Sequence, residues 1–428
     1  MRSSDHKIYY RFDPTDSAAG TQNRRSAILY NVKGMNMSTK SSRLAKTANE
    51  IKKRRMIIRG LSVVVLVCFA VFFAVANIIN PRKEFSQGEN RALKTMPGIT
   101  AESFADGSFF KEAFDAYSDQ FVFRDAFIGM KAQAELLSGD YMENGVIIGK
   151  DGYLFATPEK PVNSKTTDIQ AAVNSFAKNN PKANVTFILA PCASSVLTHK
   201  LPATAALRDQ SADINTFGEG IDESVKFINA GDILSEHKDE YIYYRTDHHW
   251  TSLGAYYVLE GSAETLGINE LYEPVEHKVT DGFFGTMASQ SGVYTQADSI
   301  SIFDYKDVPE DYYVNINSGE KMTASFFDSE KLEEKDKYQV FLGGNHPIVE
   351  ISTAAGTGKK LMMFKDSYAN SFVQLLYPYY DEIIMVDPRY YYEDPVQLME
   401  LKGITDVVFL YSGNTLFTDS SLVDCLGG

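Results

Sequence analysis

From Leu61 to Ile79 the chain runs nineteen residues without a charged side chain. As a helix rising 1.5 Å per residue, this stretch covers roughly 28 Å, against a bilayer hydrocarbon core of about 30 Å. Lys52-Lys53-Arg54-Arg55 and Arg59 stand just before it, and the positive-inside rule assigns that side to the cytoplasm. The expected layout is therefore a disordered basic cytoplasmic tail over 1–56, a transmembrane signal-anchor over 57–80 and an extracytoplasmic domain over 81–428. A cleaved signal peptide is the alternative, because Ala74-Val75-Ala76 resembles an A-x-A cleavage site. Apolar residues continue beyond that site and the leader is long, which favours the anchor; a true start at Met35, Met37 or Met56 would shorten it. A core helix of a globular domain is a third reading, and five basic residues at one end with no charge inside argue against it.

Charge divides at the same place. Residues 1–60 hold fourteen Lys or Arg against four Asp or Glu, a net of +10, so the whole-chain charge of −14 leaves −24 on residues 61–428. An acidic body gives no footprint for nucleic acid, and a basic tail beside a span sets topology or touches anionic lipid. The bilayer, met through residues 61–79, is thus an expected partner. Of the three cysteines, Cys68 lies in the span, so a Cys192–Cys425 bridge is the one extracellular disulfide the count allows. No CxxC or HExxH spacing points to a metal, and no cofactor is expected.

Past a polar stalk, residues 102–137 carry Phe104, Phe109, Phe110, Phe114, Tyr117, Phe121 and Phe123 at helical spacing. Residues 145–155 predict a hairpin turning at Lys150-Asp151-Gly152. Continuous apolar runs then predict buried strands at 185–190, 225–230, 360–364, 382–386 and 406–411. Helices are predicted at 164–178, 252–266, 368–377 and 395–401. That alternation implies an α/β fold with a mostly parallel sheet covered on both faces. Residues 270–358 break the rhythm and predict a β-rich antiparallel insertion.

Three side-chain types carry the chemistry. Asp247 and His249 are two apart, so in an extended segment they share a side while His248 faces the other. The acid can hold the ring in one tautomer and leave its second nitrogen to take a proton. Ser367 follows the apolar run Leu361-Met362-Met363-Phe364 at a strand-to-helix turn, beside helix N-terminal amides suited to an oxyanion. A helix cap is the plainer reading of Ser367 or Asp366, and a structural histidine or a metal ligand the plainer reading of the imidazoles. Ligand spacing for a metal is poor, since adjacent histidines on a strand diverge.

Thr246-Asp247-His248-His249-Trp250-Thr251, followed by Gly254-Ala255-Tyr256-Tyr257, resembles the signature of the bacterial DHHW protein family. Further matching segments include Glu89-Asn90-Arg91, Phe123-Arg124-Asp125, Asn144-Gly145-Val146, Lys365-Asp366-Ser367-Tyr368-Ala369-Asn370-Ser371 and Asp387-Pro388-Arg389-Tyr390-Tyr391. The likeness runs from about Arg82 to Leu422. That family is related to the SGNH-hydrolase-like domains of periplasmic alginate O-acetyltransferases. The resemblance implies an SGNH-hydrolase-like α/β/α sandwich with a circularly permuted motif order, in which Asp247 orients, His249 is the base and Ser367 the acyl-accepting nucleophile.

One departure is Lys365, which stands where typical SGNH enzymes have glycine before Asp-Ser. An oxyanion donor is also expected; Asn414 is the first candidate and Asn345 the second, with turn chemistry the plainer role for each. Arg389 is a candidate for binding an acidic sugar, and Tyr368 a substrate-side candidate. The tyrosines at 377, 379, 380, 390, 391 and 392 are candidates for a stacking platform. The implied activity is an O-acetyltransferase or acetylesterase on a cell-envelope or exported polysaccharide, with an acetylated or acceptor glycan as partner. A membrane-bound O-acyltransferase is the implied acyl source. A non-catalytic glycan-binding or scaffold protein is the alternative, favoured by Lys365.

Overall fold

The computed structural model describes residues 37–86, 91–139, 141–306, 308 and 311–427. The chain divides into two compact units, Met1–Asn80 and Pro81–Gly428. In the first, one helix runs from Met37 to Ile79, and its Lys46–Ile79 portion is long and apolar enough to cross a membrane. Most of the valines, leucines and phenylalanines of residues 61–79 lie exposed. The tail expected to be structureless up to residue 56 is corrected over 37–56, which is helical. Ala, Leu, Lys, Arg and Ile in that stretch are adequate helix formers, and extending an existing helix avoids the cost of a new nucleus. The remainder of the tail, 1–36, lies outside the described residues.

The second unit is built on an eight-stranded sheet. In chain order its strands are β1 (Asn184–Ala190), β2 (Val225–Asn229), β3 (Tyr312–Ile316), β4 (Lys321–Thr323), β5 (Ile348–Thr353), β6 (Lys360–Lys365), β7 (Glu382–Val386) and β8 (Asp406–Ser412). Their order across the sheet is β4-β3-β5-β7-β6-β8-β1-β2. The run β7-β6-β8-β1-β2 is parallel, while β5, β3 and β4 continue it antiparallel. Parallel registry lines up Val386, Phe364, Phe409 and Phe187 across four strands. It therefore brings the residues just after each strand, including Ser367 and Asp387, to one edge.

Strands β1, β6, β7 and β8 bury side chains on both faces, which is why each reads as a continuous apolar run, while the edge strand β2 exposes Lys226 on one face. On one face Phe187, Phe364 and Phe409 stack, with ring centroids 5.5 Å and 5.0 Å apart. Helices Asn163–Asn179, Gln210–Glu219 and Pro395–Lys402 cover that face through Phe176, Phe217 and Met399. On the other, Leu361, Met363, Val408 and Leu410 meet helix Ser252–Ser262 and the segment Ala369–Leu375. Full burial of each such aromatic or aliphatic side chain contributes about 1.5–3 kcal/mol.

Residues 270–358 differ from expectation. Pro274–Phe283 and Asp298–Tyr305 do form a separate antiparallel pair, yet β3, β4 and β5 join the central sheet. The antiparallel character is local and shows in the alternating burial of β3; the pairing of β5 with β7, which joins these strands to the central sheet, is non-local and leaves no mark in that pattern. Tyr368 to Tyr377 is shorter in helix than expected: an α-turn at Ala369–Phe372 passes into a 3-10 turn at Val373–Leu375. Val146–Ile148 and Leu154–Ala156 pair as a hairpin, with Asp151 and Gly152 at φ 55° and 81° in its turn. Cys192 and Cys425 are free thiols, so the bridge the count allows is not formed. Cys192 follows β1, whereas Cys425 packs against the face holding Phe187 and Phe364.

Candidate active site

The segment 245–249 is a bent loop clasped at its base by an antiparallel bridge between Tyr243 and Trp250. Asp298, fully buried at the start of its strand, holds the loop from below. It accepts from Arg245 N–H at 2.8 Å, Thr246 N–H at 2.7 Å, the Thr246 hydroxyl at 2.5 Å and the Tyr241 hydroxyl at 2.5 Å. The helix after the loop starts at Ser252, capped by Thr251 Oγ1 accepting from Gly254 N–H at 3.2 Å. Any side chain at 254 would collide with the Ile242 carbonyl oxygen, which explains the glycine of the motif.

Within this loop Asp247 Oδ1 accepts from His249 Nδ1 at 2.6 Å and from His249 N–H at 3.1 Å. Asp247 Oδ2 accepts from Thr286 N–H at 2.9 Å. The other ring nitrogen, His249 Nε2, lies 2.8 Å from Ser367 Oγ. The network assigns the tautomer: Nδ1 carries the proton toward the carboxylate and Nε2 accepts from the serine hydroxyl. Asp247 and His249 are buried, while Ser367 keeps partial access to solvent. Burial alone pushes the Asp247 carboxyl upward, yet the two neighbouring imidazoles and the hydrogen bonds outweigh it and hold the group well below the usual carboxylate range.

His248 does not face away from His249 as an extended segment would require. The loop is bent, and the two rings lie 3.9 Å apart between centroids. His248 is about a third exposed, with Nδ1 3.8 Å from Asp247 Oδ1. Asp247, His248 and His249 offer atoms within 4.8 Å of one another, a spacing open to a metal ion. Both Asp247 oxygens, however, already accept hydrogen bonds from His249 and Thr286. This donor set orients an imidazole and leaves the carboxylate poorly placed as a metal ligand.

Each letter of the motif has a mechanical part. The His248 carbonyl accepts from the Tyr368 hydroxyl at 2.5 Å, and the indole N–H of Trp250 donates to the Tyr368 carbonyl at 3.0 Å and Ser371 Oγ at 3.1 Å. Loop and serine turn are thereby stitched together across more than a hundred residues of sequence. Trp250→Phe is expected to cost about 2–4 kcal/mol, since it opens a gap in a fully buried site and removes the indole donor shared by two buried acceptors; chemical denaturation measures it.

Asp366, fully buried, sets the serine turn. Its Oδ2 accepts from Ser412 N–H at 2.9 Å and the Ser412 hydroxyl at 2.7 Å, and its Oδ1 from Tyr368 N–H at 3.0 Å. Tyr368 N–H is thus already engaged, as are Ala369 N–H with Asp366 O and Asn370 N–H with Ser367 O. The helix-start amides beyond Ser367 are therefore committed within the turn. The Ser367 N–H has no acceptor among the described residues.

The other sequence-derived candidates fall in different places. Asn414 is engaged elsewhere: Oδ1 accepts from Glu159 N–H at 3.0 Å and Gln210 Nε2 at 2.6 Å, and Nδ2 donates to Thr157 O at 3.1 Å. Asn345 does adjoin the serine turn, its Oδ1 accepting from Asn370 Nδ2 and Lys365 Nζ, both at 3.0 Å. Arg389 is held bidentately by Asp387, Nε to Oδ1 at 2.8 Å and Nη2 to Oδ2 at 2.6 Å. Tyr368 is buried, its hydroxyl spent on His248, so it is a support of the loop. The stacking platform is corrected too: Tyr377, Tyr379, Tyr380 and Tyr391 are core residues, and only Tyr390 and Tyr392 of that set are exposed.

Two contributors have no signal in sequence. The Tyr338 ring stacks on His249 at 3.8 Å and 8°, and its hydroxyl donates to Ser367 O at 3.0 Å or Ser371 Oγ at 3.1 Å. Gly285 packs so tightly on Asp247 that an added Cβ would overlap its Cβ and Oδ2. Gly285→Ala is expected to push the carboxylate aside and lower any His249-dependent rate by about a hundred-fold, the usual cost of a misplacement near 1 Å. Steady-state kinetics of the variant on an acetyl ester, beside its unfolding midpoint, reads this out.

No curated protein matches this chain. Among solved structures, it is similar to a DHHW family protein from Eubacterium siraeum, at 26% identity and TM-score 0.53, over 66% of this chain and 96% of that one. It is also similar in fold to Bacillus cereus PatB1 bearing a sulfonyl adduct, at 18% identity and TM-score 0.54, over 64% of this chain and 97% of that one. The O-acetyltransferase domain of Pseudomonas putida AlgJ matches at 13% identity and TM-score 0.43, over 66% of this chain and 98% of that one. With the family pattern of the DHHW proteins matching residues 132–386, across the loop, seven of the eight sheet strands and the serine turn just described, this chain belongs to the DHHW protein family.

Proposed function

We propose that this protein is a membrane-anchored, extracytoplasmic O-acetyltransferase or acetylesterase that acts on a cell-envelope or exported polysaccharide. The observation that carries the reading is the unbroken relay Asp247–His249–Ser367, with contacts of 2.6 Å and 2.8 Å. As Ser367 Oγ attacks the acyl carbonyl, His249 Nε2 takes its proton and the resulting imidazolium is stabilised by Asp247. The proton then passes to the leaving oxygen, giving an acetyl-serine. A sugar hydroxyl or water, deprotonated by His249, attacks in turn and restores Ser367.

The Ser367 N–H is the first candidate donor to the tetrahedral oxyanion, and the Asn345 amide the second. Tyr338, flat against His249, keeps the ring from turning out of line. Arg389 remains a candidate contact for an acidic sugar on its partly exposed side. Residues 57–80 would anchor the enzyme with its N-terminus in the cytoplasm, following the basic cluster before the span. A membrane-bound O-acyltransferase is the proposed acyl source, and the domain fold is proposed to be SGNH-hydrolase-like.

The test is hydrolysis of 4-nitrophenyl acetate by the full chain in detergent. Turnover above the buffer rate, stopped by an aryl sulfonyl fluoride that modifies Ser367, is the expected result. Absence of both turnover and modification contradicts the proposal and leaves the non-catalytic reading.

A further inference from the structure

Lys365 closes β6, and its side chain is 1% exposed. Strand alternation puts it on the side of Leu361 and Met363, beneath the segment that follows Ser367. Its Nζ lies 3.0 Å from Asn345 Oδ1, 3.0 Å from Asn370 Oδ1 and 3.3 Å from Asp387 Oδ2. Asp387 is itself fully buried and also grips Arg389. Taking an ammonium out of water is costly even after relaxation, and a strand end requires no charge. Methionine or leucine would fill the same space at less cost.

An ammonium has three donors and no acceptor. It therefore obliges both amides to turn their oxygens inward. Asn370 Nδ2 is then used by Asn345 Oδ1 at 3.0 Å and Gly344 O at 3.4 Å. The Asn345 Nδ2 is the one amide donor of the pair with no acceptor among the described residues, on a side chain that is exposed. Asn370 sits in the first turn after Ser367 and donates its backbone N–H to Ser367 O at 3.2 Å.

We infer that Lys365 is a positioning residue for acyl transfer: by fixing the Asn345 and Asn370 amides it rigidifies the serine turn and presents Asn345 Nδ2 as a donor to the developing oxyanion. This rests on the reading of Ser367 as nucleophile. On it, the lysine is part of the machinery and does not mark a decayed site.

The full-length protein, Lys365→Met, Asn345→Ala and the double variant are compared on 4-nitrophenyl acetate, with Ser367 sulfonylation measured in each. Lys365→Met and Asn345→Ala should each lower kcat by about a hundred-fold, the usual effect of losing one oxyanion donor, with KM changed less than about three-fold. Because both act through one donor, the double variant should fall no further than the worse single one. A kcat within three-fold of wild type in Lys365→Met, or multiplicative losses in the double variant, overturns the inference while leaving the nucleophile reading intact. If Lys365→Met does not fold, the exposed Asn345→Ala decides alone, and an unchanged kcat overturns it. A wild type with neither turnover nor Ser367 modification overturns both readings.

Discussion

Ser367→Ala is expected to abolish acetyl-ester turnover, lowering kcat by about ten-thousand-fold or more, because no second oxygen can take the acyl group at that position. The Ser367 hydroxyl makes one side-chain hydrogen bond in the structure, to His249 Nε2. Its removal leaves the turn intact, since Asp366, Tyr338 and Asn370 hold the backbone on either side. Thermal stability should therefore change little while activity disappears. The pairing of those two results separates a reacting group from a helix cap, whose loss costs about 1 kcal/mol of stability and would spare turnover.

Asp247→Asn is the second large effect, expected at about a thousand- to ten-thousand-fold in kcat. The carboxylate accepts on both oxygens: His249 N–H and Nδ1–H on one, Thr286 N–H on the other. An amide has one oxygen to offer, so it must present its NH2 group either to Thr286 N–H or to His249. Facing His249, it converts Nδ1 into an acceptor and shifts the ring proton to Nε2, where it blocks the attack on the Ser367 proton. Facing Thr286, it opposes donor to donor in a buried site and strains the loop. Kinetics on 4-nitrophenyl acetate together with the chemical shifts of the His249 ring protons distinguish the two outcomes, and turnover near wild type would contradict an orienting role for Asp247.

Part of this site is legible in the sequence because it is written in residue types at short range. An acid two positions before an imidazole, and a serine after an apolar run, can be named without knowing the fold. The parallel strands are equally legible, since burial on both faces leaves continuous runs such as Leu361-Met362-Met363-Phe364.

What escapes is whatever depends on pairing over long distances. Tyr338 and Gly285 act by contact, one as a flat surface and the other as missing volume, and neither carries a motif. Thr286 contributes only its backbone N–H, which every residue but proline possesses. Asn414 has the composition of an oxyanion donor, yet Gln210, from a helix over two hundred residues earlier, takes up its oxygen. The tyrosines at 377 and 379 turn inward because β3 and the Asp298–Tyr305 strand cover them, through Tyr305 and Tyr312. Lys365 reads as a defect until its three oxygen partners are in view.

In the proposed reaction Ser367 receives the acyl group from a substrate, and rapid acid quench of the full-length protein mixed with 4-nitrophenyl acetate, followed by peptide mass mapping, tests this at the atom concerned. One acetyl group is expected on the peptide containing Ser367, accumulating within a turnover and absent from Ser367→Ala. Acetylation confined to lysines or other residues, with Ser367 unmodified while 4-nitrophenol is released, would contradict it.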